Sequence, residues 1–377
     1  FFVLGPTCLF QIYSFVAENS FLVTAIFVVF GLTTLWQYYA RSINAEKIYV
    51  ASSIISTIIN LILNIVLICV CHMGFKGLAI SYIVANLMSV IIIEFKIKMF
   101  SKFKIRKVEC SLLKKMLVFS APLVLNTISA WLLNGSSKVI IVQFLGSTEN
   151  GLYAFANKFS VIVTLFGTVI NMAFVEESII NSQKGKVDSY FLNTVENLFY
   201  YFINLLIIFI PIINIFYSII STTEYFASRV YFPFLLLYAL FSVLSTNIGT
   251  IFHVVNKTKY AFLTTIIGAI FFLLICFLGI NSIGLYAVAI AQIIGAFVMF
   301  LLRYLFTKKY VSDTFKWSKW LILLLIFLGT SWVSYNLNLI YNIILLGLIL
   351  LLEFYINRSM VLNLLKKFKI IMFKASK

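Results

Sequence analysis

The sequence predicts an all-α polytopic membrane protein of about twelve transmembrane helices, and three observations carry that prediction. Hydrophobic residues make up 62% of the chain and charged residues only 11%, with a mean hydropathy of +1.06, far from the balance of a soluble globular chain. Apolar runs of about 20 residues recur from end to end, the length an α-helix needs to cross roughly 30 Å of hydrocarbon. None alternates with the period of two that barrel strands would show. Backbone amides in lipid must be satisfied within their own segment, so the runs are helices.

The first run, 1–16, opens on Phe1 with no initiator Met and no charged segment before it, and does not read as a signal peptide. Runs 21–40 and 48–71 follow, joined through Gln37-Tyr-Tyr-Ala-Arg41 and the loop Asn44-Ala-Glu-Lys47. Run 76–95 is led by Gly77. Run 116–144 contains Pro122, which removes a helix hydrogen bond and makes it the expected hinge or kink. Runs 151–175, 192–219 and 230–253 come next. A second loop, Asn256-Lys-Thr-Lys259, precedes 260–280, and Gly284 then leads 284–304. Runs 317–335 and 339–357 complete the set. Loop, span, short turn and glycine-led helix thus occur twice in the same order, an internal repeat. Gly77 and Gly284 are expected to serve close helix packing and tight turns.

The formal charge of +17 does not point to nucleic acid, because of where it sits. With loops assigned to alternate sides, 25 of the 29 Lys and Arg residues fall on one side, Arg303 and the tail from Arg358 to Lys377 among them. That bias marks the cytoplasmic face and places the C-terminus there. The basic tail suits anionic lipid headgroups. Only Lys76 and Arg229 lie opposite, while Lys138 and Lys158 fall inside spans.

Candidate chemistry is sparse. Cys69, Cys71 and His72 form a short string, but a tetrahedral metal site needs a further arm of ligands, so neither metal nor other cofactor is expected. Phosphate-loop, HExxH and GxSxG motifs are missing from the sequence, and the expected outer loops are very short. The sequence therefore predicts a transporter rather than an enzyme. Without a nucleotide site, its work would come from an ion gradient, H+ or Na+, or from the substrate's own gradient.

Two segments carry a family resemblance. Phe119-Ser-Ala-Pro-Leu-Val-Leu-Asn126, Trp131-Leu-Leu-Asn134, Ser137-Lys138 and Phe144-Leu-Gly146 resemble the seventh helix of bacterial polysaccharide flippases, the Wzx-type O-antigen and capsule repeat-unit translocases. These belong to the multidrug/oligosaccharidyl-lipid/polysaccharide superfamily. Asn150-Gly-Leu-Tyr-Ala-Phe-Ala-Asn-Lys158 is similar to the eighth helix. The resemblance implies a two-lobed, inverted-V fold with two extra C-terminal helices. Here that gives 1–97 as the remainder of the first lobe, 115–305 as the second lobe, 317–357 as the extra pair and 358–377 as a cytoplasmic tail, with two N-terminal helices expected to precede Phe1. It also implies alternating access for a lipid-linked oligosaccharide in a bacterial cytoplasmic membrane, alongside membrane lipids and other polysaccharide-assembly proteins. A multidrug exporter and an envelope polymerase are the alternatives.

The expected substrate cavity follows from polar spacing. Asn126, Ala130, Asn134 and Lys138 recur every four residues. Tyr153, Asn157, Ser160, Thr164, Thr168 and Asn171 follow at threes and fours. Such faces either wall a hydrated cavity or hydrogen-bond neighbouring helices. Lys138 and Lys158 lie about 11 Å from the outer turn at 1.5 Å per residue. A central Lys costs on the order of 3 kcal/mol, which favours water, a partner or an anionic ligand, although a Lys stem can also snorkel outward. Many flippases have an acidic–basic pair where this chain has Ser137-Lys138. Arg41 is placed either to meet a carrier phosphate or to anchor the interface.

Overall fold

The computed structural model describes residues 17–102, 110–182, 190–255, 257–310 and 315–356, excepting the side chains of 102, 173–193 and 356. Among them every regular element is helical, and ten helices are long and apolar enough to cross a membrane. The expected run 1–16 and the basic tail lie outside the described residues. Two compact units divide at Leu113 and Lys114.

The first unit holds α1 (Ser20–Ser42), α2 (Glu46–Asn64), α3 (Gly74–Ile97) and the short α4 (Met99–Lys102). α3 packs against both α1 and α2, around Trp36, Ala40, Ile93 and Ile97. α2 ends in a π-helical turn, Ile65–Val70, and a Cβ on Gly77 would stand 3.1 Å from Leu67 Cβ in that turn. Glu94 shapes the other end of α3. Its carboxylate accepts Trp36 Nε1 at 2.9 Å and the amides of Met99 and Phe100 at 3.1 and 3.0 Å. Those contacts hold the chain where Lys98, at φ +53°, ends the helix.

The second unit holds α5 (Cys110–Asn134, its first turn preceding the division), α6 (Ser136–Phe144), α7 (Ser147–Ser182) and α8 (Tyr190–Ile219). A 3₁₀ segment, Glu224–Val230, leads into α9 (Phe232–Val254), α10 (Thr258–Ile283), α11 (Leu285–Thr307), α12 (Trp317–Asn336) and α13 (Leu339–Ile356). The expected run 116–144 is therefore two helices. α5 continues through Pro122 and stops at Gly135. A Cβ at Gly135 would fall 2.5 Å from Trp131 Nε1, so the indole occupies the space a side chain would need. The Ser136 hydroxyl donates to the Leu132 carbonyl and that of Ser137 to the Asn134 carbonyl at 2.8 Å, satisfying groups at the break.

α9 is the most enclosed helix and packs against α7, α8 and α11. α10 and α11 form an antiparallel pair turned at Gly284, whose φ of +56° favours glycine. Gly284 has open space around it, so the close packing expected of it falls instead to Gly268 and Gly295, deeper in the same pair. α12 and α13 lie against α8, where Trp320 stacks flat on Phe199 with ring centroids 3.8 Å apart.

Candidate functional site: a polar cavity in the second unit

A cavity of about 240 Å³ opens among α5, α7, α9, α10 and α11. α5 contributes Asn126, Ala130 and Asn134, three members of the expected four-residue stripe. α7 contributes Asn171, and α9 contributes Thr246, Thr250 and His253. Thr265 of α10 and Arg303 of α11 complete the polar lining. His253 lies in the last turn of α9 and Arg303 in the last turns of α11.

Arg303 organises the cavity, and its place corrects the sequence reading. Expected on a cytoplasmic loop, it sits one turn inside α11 and is only 5% exposed. Its Nε donates to Thr264 Oγ1 at 3.1 Å, Nη1 to the Ser245 carbonyl at 2.7 Å and Nη2 to Thr265 Oγ1 at 2.9 Å. Thr265 in turn lies 2.6 Å from Asn126 Oδ1, to which it donates. Gly249 makes room for the guanidinium, since a Cβ there would be 2.6 Å from Nη1. The sequence held two signals for this site. One is the polar stripe Ser242, Thr246, Gly249, Thr250 and His253 at helical spacing on α9. The other is Arg303 itself, which stands before Tyr304 inside the apolar run 284–304 rather than after it.

The remaining expected site residues are placed elsewhere. Lys138 follows the Gly135 break, which ends the stripe's regular spacing; its side chain is exposed and lies outside the cavity lining. Lys158 is exposed too, with Nζ 5.6 Å from the Phe155 ring centroid, close enough for cation–π attraction. Asn157 is half-buried and accepts the Ser160 hydroxyl at 2.9 Å. Arg41 belongs to the first unit, half-buried, its guanidinium 5.8 Å from the Tyr49 centroid. Tyr153 is helix glue: it is 1% exposed and donates to Gln292 Oε1 at 2.7 Å. Tyr153→Phe leaves that acceptor unpaired and is expected to cost about 1 kcal/mol. An unchanged thermal midpoint in detergent would refute the assignment.

A larger, mostly apolar cavity of about 450 Å³ lies between α9, α11 and α12, with Arg229 and Tyr335 at its edge. It offers little convergent polar chemistry.

With this geometry in place, the family match becomes informative. A family model described as polysaccharide biosynthesis protein matches residues 16–203, half of the chain. The chain belongs to this polysaccharide biosynthesis family. The fold of this chain is shared with solved transporters. A mutant of the Vibrio cholerae MATE transporter VcmN aligns at TM-score 0.60 and 15% identity, over 79% of this chain and 70% of that one. A MATE transporter in complex with MaL6 aligns at TM-score 0.63 and 13% identity, over 78% and 69%. An inward-facing multidrug resistance MATE family transporter of the MOP superfamily aligns at 0.53 and 14%, over 74% and 68%. At such identities the likeness is one of fold. No curated protein sequence matches the chain. This family member is accordingly a multi-pass membrane protein with the fold of MOP-superfamily transporters.

Proposed function

We propose that the chain flips undecaprenyl-pyrophosphate-linked oligosaccharide repeat units from the inner to the outer leaflet of the bacterial cytoplasmic membrane. The product would feed O-antigen, capsule or exopolysaccharide assembly. The observation that carries this reading is a polysaccharide biosynthesis family match on a chain with an exporter's fold. Polysaccharide biosynthesis performed by such a fold calls for movement of an intermediate rather than bond making. Alternating access would run on a proton or sodium gradient, with polysaccharide-assembly proteins as partners and the C-terminus cytoplasmic.

Lys138 and Lys158 are the proposed contacts for the anionic carrier or for acidic sugars. Both are exposed on helices of the second unit and separated by the turn at Gly146. A multidrug exporter is the second reading, favoured by the solved structures of similar fold. The lining of the described cavity, with Arg303 and no carboxylate, counts against organic cations as its cargo.

Complementation of cells lacking a repeat-unit flippase tests the function. The intact protein is expected to restore surface polymer, and Lys138→Ala or Lys158→Ala to lower it about tenfold or more at equal expression, the scale of one charge-assisted hydrogen bond. Full activity in both variants would refute the lysine assignment. No restoration in any strain, with new resistance to cationic drugs, would replace the flippase with the exporter.

A further inference from the structure

We infer that the cavity at Arg303 is a binding site for a phosphate-class oxyanion, built into the second unit.

The buried charge of Arg303 is unbalanced. Arg303 is 5% exposed in a helix long and apolar enough to span a membrane, and a guanidinium in such a place is retained only with compensation. Among the described residues it has no acidic partner. The cavity lining offers Asn, Thr, Ser and His side chains and not one carboxylate. Polar neighbours take part of the load: three hydrogen bonds to Thr264, Thr265 and the Ser245 carbonyl hold the side chain in one orientation. A guanidinium has five N–H groups. The three bonds occupy Nε and one N–H of each terminal nitrogen, so one N–H on Nη1 and one on Nη2 remain without a protein partner among the described residues. That pair is what an end-on, bidentate oxyanion contact uses.

The surroundings suit the same ligand. His253 faces the cavity from α9 and supplies a ring N–H. Asn134 and Asn171 amides add neutral donors on other walls. The space, about 240 Å³, admits a diphosphate-sized anion with several waters, each needing only about 10–15 Å³ of such space. Gly249 removes the side chain that would otherwise push the guanidinium away. Two sources of the anion share this chemistry: free inorganic phosphate or pyrophosphate from the cytoplasm, and the diphosphate headgroup of an isoprenoid lipid. An anion at Arg303 does not depend on what the chain transports.

The test uses the full chain, purified in nanodiscs. Binding of inorganic phosphate, inorganic pyrophosphate and farnesyl diphosphate is measured by calorimetry and by thermal midpoint, with sodium chloride at matched ionic strength as reference. Saturable binding to the wild type is expected, weakened at least tenfold by Arg303→Gln and by Gly249→Ala, which keeps the charge but displaces the fork. Lys316→Gln, on the exposed surface, is expected to bind as wild type. Farnesyl diphosphate binding at least tenfold tighter than pyrophosphate assigns the site to a lipid headgroup; equal or weaker binding assigns it to the free anion. The site is overturned if the wild type responds to these anions no more than to chloride, or if Gly249→Ala and a folded Arg303→Gln bind as tightly as wild type. His253→Gln provides the same comparison should Arg303→Gln not fold. None of these readouts requires transport, so failure of the anion site and failure of the flippase reading are distinguishable.

Discussion

Gly295→Ala is expected to destabilise the second unit by about 1–3 kcal/mol, the usual cost of overpacking a close contact. At this point α10 and α11 touch through their backbones. A Cβ on Gly295 would lie 2.8 Å from the Gly268 carbonyl oxygen, 2.7 Å from Leu133 Cδ1 and 3.0 Å from Phe272 Cβ. A Cβ on Gly268 would lie 2.7 Å from the Gly295 carbonyl oxygen. Side chains can rotate aside, but a carbonyl in a helix ladder cannot, so the two helices must separate. The separation would also disturb the Arg303 fork, because its partners Thr264 and Thr265 ride on α10. Gly268→Ala should cost about as much. The double variant should cost clearly less than the two together, since one separation relieves both clashes. Gly329→Ala, where a Cβ meets nothing within 4 Å, should be neutral or slightly stabilising. Thermal midpoints in one detergent decide it: full additivity, or an unchanged Gly295→Ala, would rule out the backbone contact.

The same pair of helices illustrates how far the sequence could be read. Span positions were legible because lipid imposes a length and a polarity on every crossing segment. Thus 260–280 lies inside α10, 284–304 lies inside α11 from its second residue on, and Gly284 lies at the turn between the two helices. Which glycine carries the packing was not legible. Gly268 and Gly295 differ from Gly284 only in what stands opposite them, a tertiary fact. The Arg303 error has a related origin. Hydropathy treats a cation as the end of a span, and Arg303 closes the apolar run 284–304; yet α11 continues to Thr307, and hydroxyls on a different helix solvate the charge. The four-residue stripe from Asn126 was right as far as α5 is continuous. Asn126, Ala130 and Asn134 reach the cavity. Lys138 comes after Gly135, where the Trp131 indole leaves room for no side chain, so spacing stopped being a guide there. Glu94 is the acceptor that fixes the end of α3, a role that depends on amides beyond the helix.

The C-terminal helices α12 and α13 are expected to depend on one polar knot. Asn214 of α8 is 1% exposed and donates to Ser334 Oγ at 2.7 Å, while its Oδ1 accepts Arg229 Nε at 2.6 Å. Arg229 Nη2 also reaches the carbonyls of Ser334 at 3.2 Å and Tyr335 at 3.0 Å, and the guanidinium lies 4.9 Å from the Tyr335 ring centroid. Ser334 continues to Asn342 Oδ1 at 2.5 Å, and Asn342 Nδ2 donates back to the carbonyls of Ser334 and Leu337 at 3.1 and 2.9 Å. Burial pulls the Arg229 pKa below its ordinary value, with Tyr335 opposing, so the charge is already partly desolvated and relies on these acceptors. Asn214→Leu conserves bulk but leaves Arg229 Nε without its acceptor and the Ser334 hydroxyl without the donor to it, at an expected cost of about 2–3 kcal/mol. Most of that loss is the penalty of unpaired polar groups rather than the worth of the bonds. Adding Arg229→Leu should therefore recover part of the stability, even though it deletes further hydrogen bonds. Hydrogen exchange locates the effect. Amides of 317–356 should exchange faster in Asn214→Leu while those of 232–254 hold, because α9 packs chiefly on α7 and α11 rather than on α12 and α13. A double variant less stable than Asn214→Leu alone would mean the bonds themselves, not the stranded charge, hold the pair in place.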